Sequence, residues 1–154
     1  MNDGAKLEGV SLIFRNFAGE ERTFNPSGNR NFSVVLDEDT ANAMLQDGWS
    51  VKTLDPREEG DKPTYYLKVR VSYKGRPPKI VMVTDGGNKQ TPLNENTVSV
   101  LDWAEITNCD LIVRPYEWEV NGKSGVTAYL KTMYVTIYED ELEKKYAMKD
   151  EGEH

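Results

Sequence analysis

TYYLKVRVSY, running from Thr64 to Tyr73, alternates its side chains with a period of two. Tyr65, Leu67, Val69, Val71 and Tyr73 fall on one face; Tyr66, Lys68, Arg70 and Ser72, continued by Lys74, fall on the other. Successive residues of a strand point to opposite sides, so this stretch reads as a strand with one side fit for a core and the other for a polyanion. The surrounding charge sharpens that reading. From Lys62 to Thr84 there are six basic residues (Lys62, Lys68, Arg70, Lys74, Arg76 and Lys79) and no acidic one, in a protein of formal net charge -7. An ordinary solvated face mixes both signs to limit self-repulsion. Tyr66 beside Lys68 and Arg70 supplies what a single-stranded nucleic acid needs, a ring to stack a base and cations in line with the phosphates.

Upstream, LEGVSLIFRNF reads as one long strand, with Leu12 and Phe14 on one face and Ser11, Ile13, Arg15 and Phe17 on the other. GEERTFNPSGNRN is polar and rich in turn residues. NFSVVL is a short strand leading into a helix, LDEDTANAML, with Asp37 as its N-cap, Glu38 and Asp39 in its first turn and Gly48 as its stop. Trp49 is expected to pack back on Met44 or Leu45 rather than to stack on a ligand. WSVKTL is another strand, and DPREEGDKP a charged loop.

Downstream, the prolines of KGRPP withhold backbone donors and predict an edge or a bend. KIVMVT is expected to return as a strand, with DGGNKQ closing its hairpin. LNENTVSVL repeats the capping pattern of the first helix and predicts a second short helix, capped by Asn94 with Leu93 packed on Val98. NCDLIVRPYEWEV and GVTAYLKTMYVTIY, joined by NGKSG, read as a long late hairpin. The apolar phase of its second strand changes near Thr132 and Met133, which predicts a bulge or strong bend.

Short strands, a helix before the last hairpin, a bent long strand and a face of aromatics with cations fit a mainly β chain folded as an OB-fold-like five-stranded Greek-key barrel, with a β-sandwich as the alternative. At 154 residues one domain is expected. It is placed at residues 1–138, followed by an acidic tail over 139–154, partly helical or disordered. That tail holds Glu139, Asp140, Glu141, Glu143, Asp150, Glu151 and Glu153 against Lys144, Lys145 and Lys149.

Catalytic chemistry has little to work with. The lone histidine is His154 and the lone cysteine Cys109, so no nucleophile pair, no zinc set and no internal disulfide can be built. The turns at Asp85-Gly86-Gly87 and Asn121-Gly122-Lys123-Ser124 lack the spacing of a phosphate-binding loop. No enzyme, metal or cofactor is expected. No run approaches the ~18 apolar residues of a membrane helix and the N-terminus lacks signal-peptide regions, so a cytoplasmic protein without membrane contact is expected.

Basic residues interleaved with aromatics recur on the late hairpin and around the first strand. The expected nucleic-acid-binding set is Arg15, Arg30, Tyr66, Lys68, Arg70, Lys74, Arg76, Lys79, Arg114, Tyr116, Trp118, Lys123, Tyr129 and Lys131. Phe17 and Phe32 are read as core in preference to the binding face. Glu117 and Glu119 alternate with the hairpin rings and would repel a strand on their own side.

FNPSGNRNFSVVLDEDTANAMLQDGWSVK, TYYLKVRVSYKGRPPKI and the segment from LNENTVSVL through YEDELEKKYA together resemble a bacteriophage single-stranded DNA-binding protein of OB-fold type. The resemblance covers most of the chain and carries no catalytic signature. It implies a protein that coats transiently exposed single strands in phage replication and recombination, with cations and aromatics of the barrel face holding the DNA. It also implies an acidic tail that recruits phage or host replication proteins or competes for the groove, and it is compatible with a homodimer. This chain departs from the pattern in its short, mixed-sign tail, which ends EGEH without a terminal aromatic. Rival readings are a phage structural, assembly or protein-interaction module with a basic β face, and an inhibitor that mimics DNA with its acidic surface.

Overall fold

The computed structural model describes residues 4–139, so the tail from 140 onward lies outside the described residues. Nine strands among them belong to one hydrogen-bonded sheet: β1 (Ala5–Leu7), β2 (Leu12–Asn16), β3 (Arg30–Leu36), β4 (Val51–Leu54), β5 (Thr64–Val71), β6 (Lys79–Thr84), β7 (Lys89–Leu93), β8 (Ile106–Val120) and β9 (Lys123–Ile137). The one α-helix among the described residues, α1 (Glu38–Gln46), joins β3 to β4.

The pairing closes into a ring. β3 lies antiparallel to β5, β5 parallel to β9, β9 antiparallel to β8, and β8 antiparallel to β1. β1 and β2 are successive pieces of one N-terminal segment, and β2 pairs back onto β3. Five strand positions therefore form a barrel, as expected, rather than two stacked sheets.

The N-terminal segment is not one continuous strand. Gly9 adopts φ +61°, a left-handed conformation that glycine takes without a Cβ penalty, and it turns the chain from β8 toward β3. The Gly9 and Val10 amides donate to Asp110 Oδ1 (2.8 Å) and the Cys109 carbonyl (3.0 Å) at that corner. A second irregularity falls between Ile13 and Asn16, where Phe14 has φ +52°. The alternation expected through this segment is broken there, and Phe14 turns outward.

α1 begins as read from the sequence: the Asp37 carboxylate accepts from the Thr40 amide at 2.7 Å. That hydrogen bond and the Thr40 hydroxyl hold the Asp37 carboxyl below its usual pKa. Gly48 takes φ +93° and the Trp49 amide donates back to the Met44 carbonyl at 3.0 Å. Trp49 is buried, a packing residue.

The second expected helix is a short 3-10 turn, Val98–Asp102, that buries Val98 and Leu101. Asn94 opens the preceding turn by accepting from the Asn96 amide (2.8 Å), so it caps a turn and not an α-helix.

KIVMVT does not return along TYYLKVRV. β5 and β6 both run parallel to β9, β5 level with Ala128 and Tyr129 and β6 with Thr132–Thr136. KGRPP is a jog between two strands that point the same way, and the hairpin is the one between β6 and β7.

The β8–β9 hairpin turns through Asn121 and Gly122 alone, both at positive φ, the requirement of a tight two-residue turn. Its register shifts where Ile112 meets Thr132 but Val113 meets Leu130, leaving Lys131 as an extra residue. Buried positions accordingly switch from Val126, Ala128 and Leu130 to Met133 and Val135, the phase change expected from the sequence. Phe17 and Phe32 are fully buried and stacked with ring centres 4.9 Å apart, so both belong to the core.

Candidate nucleic-acid interface

Residues paired across neighbouring strands share a face of the sheet, so the register fixes which side chains meet. On the outer side of β5 stand Tyr66, Lys68 and Arg70, while Leu67, Val69 and Val71 are buried beneath. Arg70 lies level with Asn31 of β3 on one side and Tyr129 of β9 on the other. Tyr129 is in turn paired with Arg114 of β8. The row Asn31–Arg70–Tyr129–Arg114 thus crosses four strands.

Aromatic rings flank this row. The Tyr116 ring meets the Tyr129 ring edge to face with centres 5.9 Å apart. One pair further out, Trp118 is level with Gly125, and a Cβ on Gly125 would stand 2.6 Å from the indole. The glycine is therefore what lets the indole lie against the strand. At the other end Tyr66 is packed edge-on by Phe14 (5.7 Å), and Lys52 of β4 is level with Tyr66. Glu117 and Glu119 alternate with Tyr116 and Trp118 along β8 and so occupy the opposite face, removing the repulsion they threatened.

The cations of this surface are uncompensated among the described residues. The ion pairs found there, Lys6–Glu8 (2.9 Å) and Arg22–Glu20 (3.9 Å), involve no residue of β5. Partial burial, reinforced by Arg70 and Lys52, pushes the Lys68 pKa below the ordinary lysine value. A lysine held down by like charges and desolvation is a site that gains from an arriving anion.

A cleft of about 530 Å3 opens between the β2–β3 loop and the β5 face, bordered by Phe24, Arg30, Lys68, Arg70, Tyr73, Lys74 and Tyr129. Glu95 is the carboxylate in its wall. Burial pushes the Tyr73 hydroxyl up in pKa, and that hydroxyl has no hydrogen-bond partner among the described residues.

The expected residues divide into three groups. Tyr66, Lys68, Arg70, Lys74, Arg114, Tyr116, Trp118 and Tyr129 come together on this surface. Arg76 joins them through its backbone, its carbonyl accepting from Arg114 Nη2 at 3.0 Å. Lys123 is at the hairpin tip opposite Val120, Lys131 lies further along β9, and Lys79 opens β6 level with Thr132 of β9, its amine 5.6 Å from the centre of the Tyr134 ring.

Two arginines are committed to the fold. Arg15 does not join the face: its Nη1 donates to the carbonyls of Leu101 (2.9 Å) and Ala104 (2.7 Å), tying β2 to the 3-10 turn. Arg30 borders the cleft, but its Nη1 is anchored on the Phe17 carbonyl (2.6 Å) and its guanidinium lies 5.5 Å from the centre of the Tyr73 ring.

Reading the sequence missed Phe14, Phe24 and Lys52. Phe14 is turned out by a backbone irregularity that leaves no compositional trace. Lys52 gains meaning only from its register with Tyr66. Phe24 did carry a signal, a large ring stranded among turn residues.

Residues 2–153 match the family model described as "Putative phage ssDNA-binding domain". Among solved structures the chain is similar to the single-stranded DNA-binding protein of bacteriophage Enc34. The likeness is at TM-score 0.56 and 12% identity to the form in complex with ssDNA, over 88% of this chain and 86% of that one. For the C-terminally truncated form it is at TM-score 0.55 and 12% identity, over the same shares. At these identities the likeness is one of fold. No curated protein sequence matches.

Proposed function

This chain belongs to the phage ssDNA-binding domain family, and from that premise we propose that single-stranded DNA lies across the outer face of β5 and the β8–β9 hairpin. Binding is independent of sequence. Lys68, Arg70, Lys74 and Arg114 neutralise phosphates, and Tyr66, Tyr116, Trp118 and Tyr129 offer ring faces to bases. The observation that carries this reading is the Lys68–Arg70 pair, with Arg70 level with Tyr129 and neither cation given a carboxylate partner among the described residues. The protein coats and shields single strands during phage DNA replication and recombination, in the cytoplasm of the host, by binding rather than catalysis. Residues 1–138 form the binding domain. Residues 139–154, with seven acids against three lysines, serve contacts with replication proteins.

Titrating the protein with oligo-dT at low and moderate salt, followed by tryptophan emission, tests this. Quenching that saturates at low salt and weakens steeply as salt rises is expected, because phosphate contacts release counterions. Absence of binding at low salt would remove the reading.

A further inference from the structure

Phe24 is 95% exposed, the most exposed of the large hydrophobic residues described, and it stands on the rim of the cationic cleft. Exposure of a ring on a floppy loop would mean little. This loop is held at three levels. At its base the buried Asn16 side chain accepts from the Glu20 amide (2.9 Å), and the Phe17 and Ala18 amides donate to the Asp102 carboxylate (2.7 and 3.0 Å). At its neck the Gly28 amide donates to the Gly19 carbonyl (2.8 Å), and a Cβ on Gly19, at φ +71°, would stand 3.1 Å from the Gly28 backbone.

At its tip Arg22 and Asn25 exchange two backbone hydrogen bonds (2.9 and 3.0 Å), closing a four-residue turn with Phe24 inside it. The Asn25 side chain donates through Nδ2 to the carbonyls of Glu20 (2.8 Å) and Asn29 (3.0 Å), and its Oδ1 accepts from Asn31 Nδ2 of β3 at 2.8 Å. Asn31 is the residue level with Arg70. The tip is thus fastened to the strand that borders the cation row.

A ring standing in water gains nothing for the fold, and because the turn that carries it is already held, binding need not order the backbone beneath it. We propose that Phe24 is a preorganised stacking residue: one base of the bound strand lies on its ring, opposite Tyr129, while the phosphates follow Lys68 and Arg70. This rests on the cleft being the DNA path. Asn25 acts as a positioning residue that holds the turn.

The test compares Phe24→Ala and Phe24→Leu with Phe24→Trp, and with a Lys68→Ala/Arg70→Ala double variant, on oligo-dT and on an abasic oligomer of equal length. Both non-aromatic variants should lose roughly tenfold in oligo-dT affinity, as expected for one stacked base. They should bind the abasic strand like the unmodified protein, with the same salt slope and melting temperature, and Phe24→Trp should retain affinity. Undiminished oligo-dT affinity in Phe24→Ala and Phe24→Leu, with the double variant weakened, overturns the role of Phe24 and leaves the cleft reading standing. An equal loss on the abasic strand also overturns it. Undiminished affinity in the double variant overturns the cleft reading and this inference together.

Discussion

β2 and β5 each place an arginine outside the apolar core, and the two have opposite fates. Arg15 on β2 gives two short hydrogen bonds, to the Leu101 carbonyl in the 3-10 turn and the Ala104 carbonyl just after it, contacts made 86 and 89 residues away in sequence. Arg70 on β5 has no acidic partner among the described residues and stands beside Lys68, whose charge is disfavoured by burial and by its neighbours. A guanidinium held by two part-buried internal hydrogen bonds is a charge used by the fold. A charge kept without them, beside others of its own sign, adds repulsion to the folded state and is explained by a ligand.

The largest expected effect is on the β5 side of this comparison. Lys68→Glu with Arg70→Glu should lower oligo-dT affinity by on the order of a hundredfold at low salt and flatten the salt slope by about 1.4, two single-strand phosphate contacts. The melting temperature should not fall, since like-charge repulsion is relieved. A loss of stability equal to the loss of binding would erase the distinction between the two strands.

Arg15→Ala tests the other side. It leaves the Leu101 and Ala104 carbonyls without their donor and should destabilise the fold by about 1–3 kcal/mol, read from urea unfolding. The affinity of the folded protein for oligo-dT should be unchanged.

Tyr129→Ala sharpens the comparison within the site, because Tyr129 is level with Arg70 and packs on Tyr116. A loss of about 1–3 kcal/mol in binding is expected, without change in salt slope.

The smallest effect is one of pH. A phosphate bound at Lys68 raises a pKa that is lowered in the free protein, so binding takes up a proton only once the pH rises toward that lowered pKa. Affinity should therefore be full at neutral pH and fall a few-fold as pH rises into the lysine range, earlier than for exposed lysines. Lys68→Arg should remove this early fall, since guanidinium does not titrate there.

Much of the site was legible because the period of a strand is local. The alternation in TYYLKVRVSY placed Lys68 and Arg70 outward, and the phase change near Thr132 revealed the bulge at Lys131. The helix cap at Asp37 was equally local. What required tertiary knowledge was not legible. The direction of β6 depends on β9 running alongside both β5 and β6, which no turn residue in KGRPP encodes. The fate of Arg15 depends on carbonyls presented by a distant turn, and the outward turn of Phe14 on a positive φ at a phenylalanine. Phe24 was overlooked because a loop offers no period, although its ring in GEERTFNPSGNRN was visible.

The most direct measurement maps backbone amide shifts by NMR while oligo-dT is added. Perturbations concentrated on Lys68, Arg70, Arg114 and Tyr129, with α1 and the Arg15 contacts unmoved, are the predicted result. Shifts clustered on α1 and the charged loop before β5, with the β5 face silent, would contradict the account.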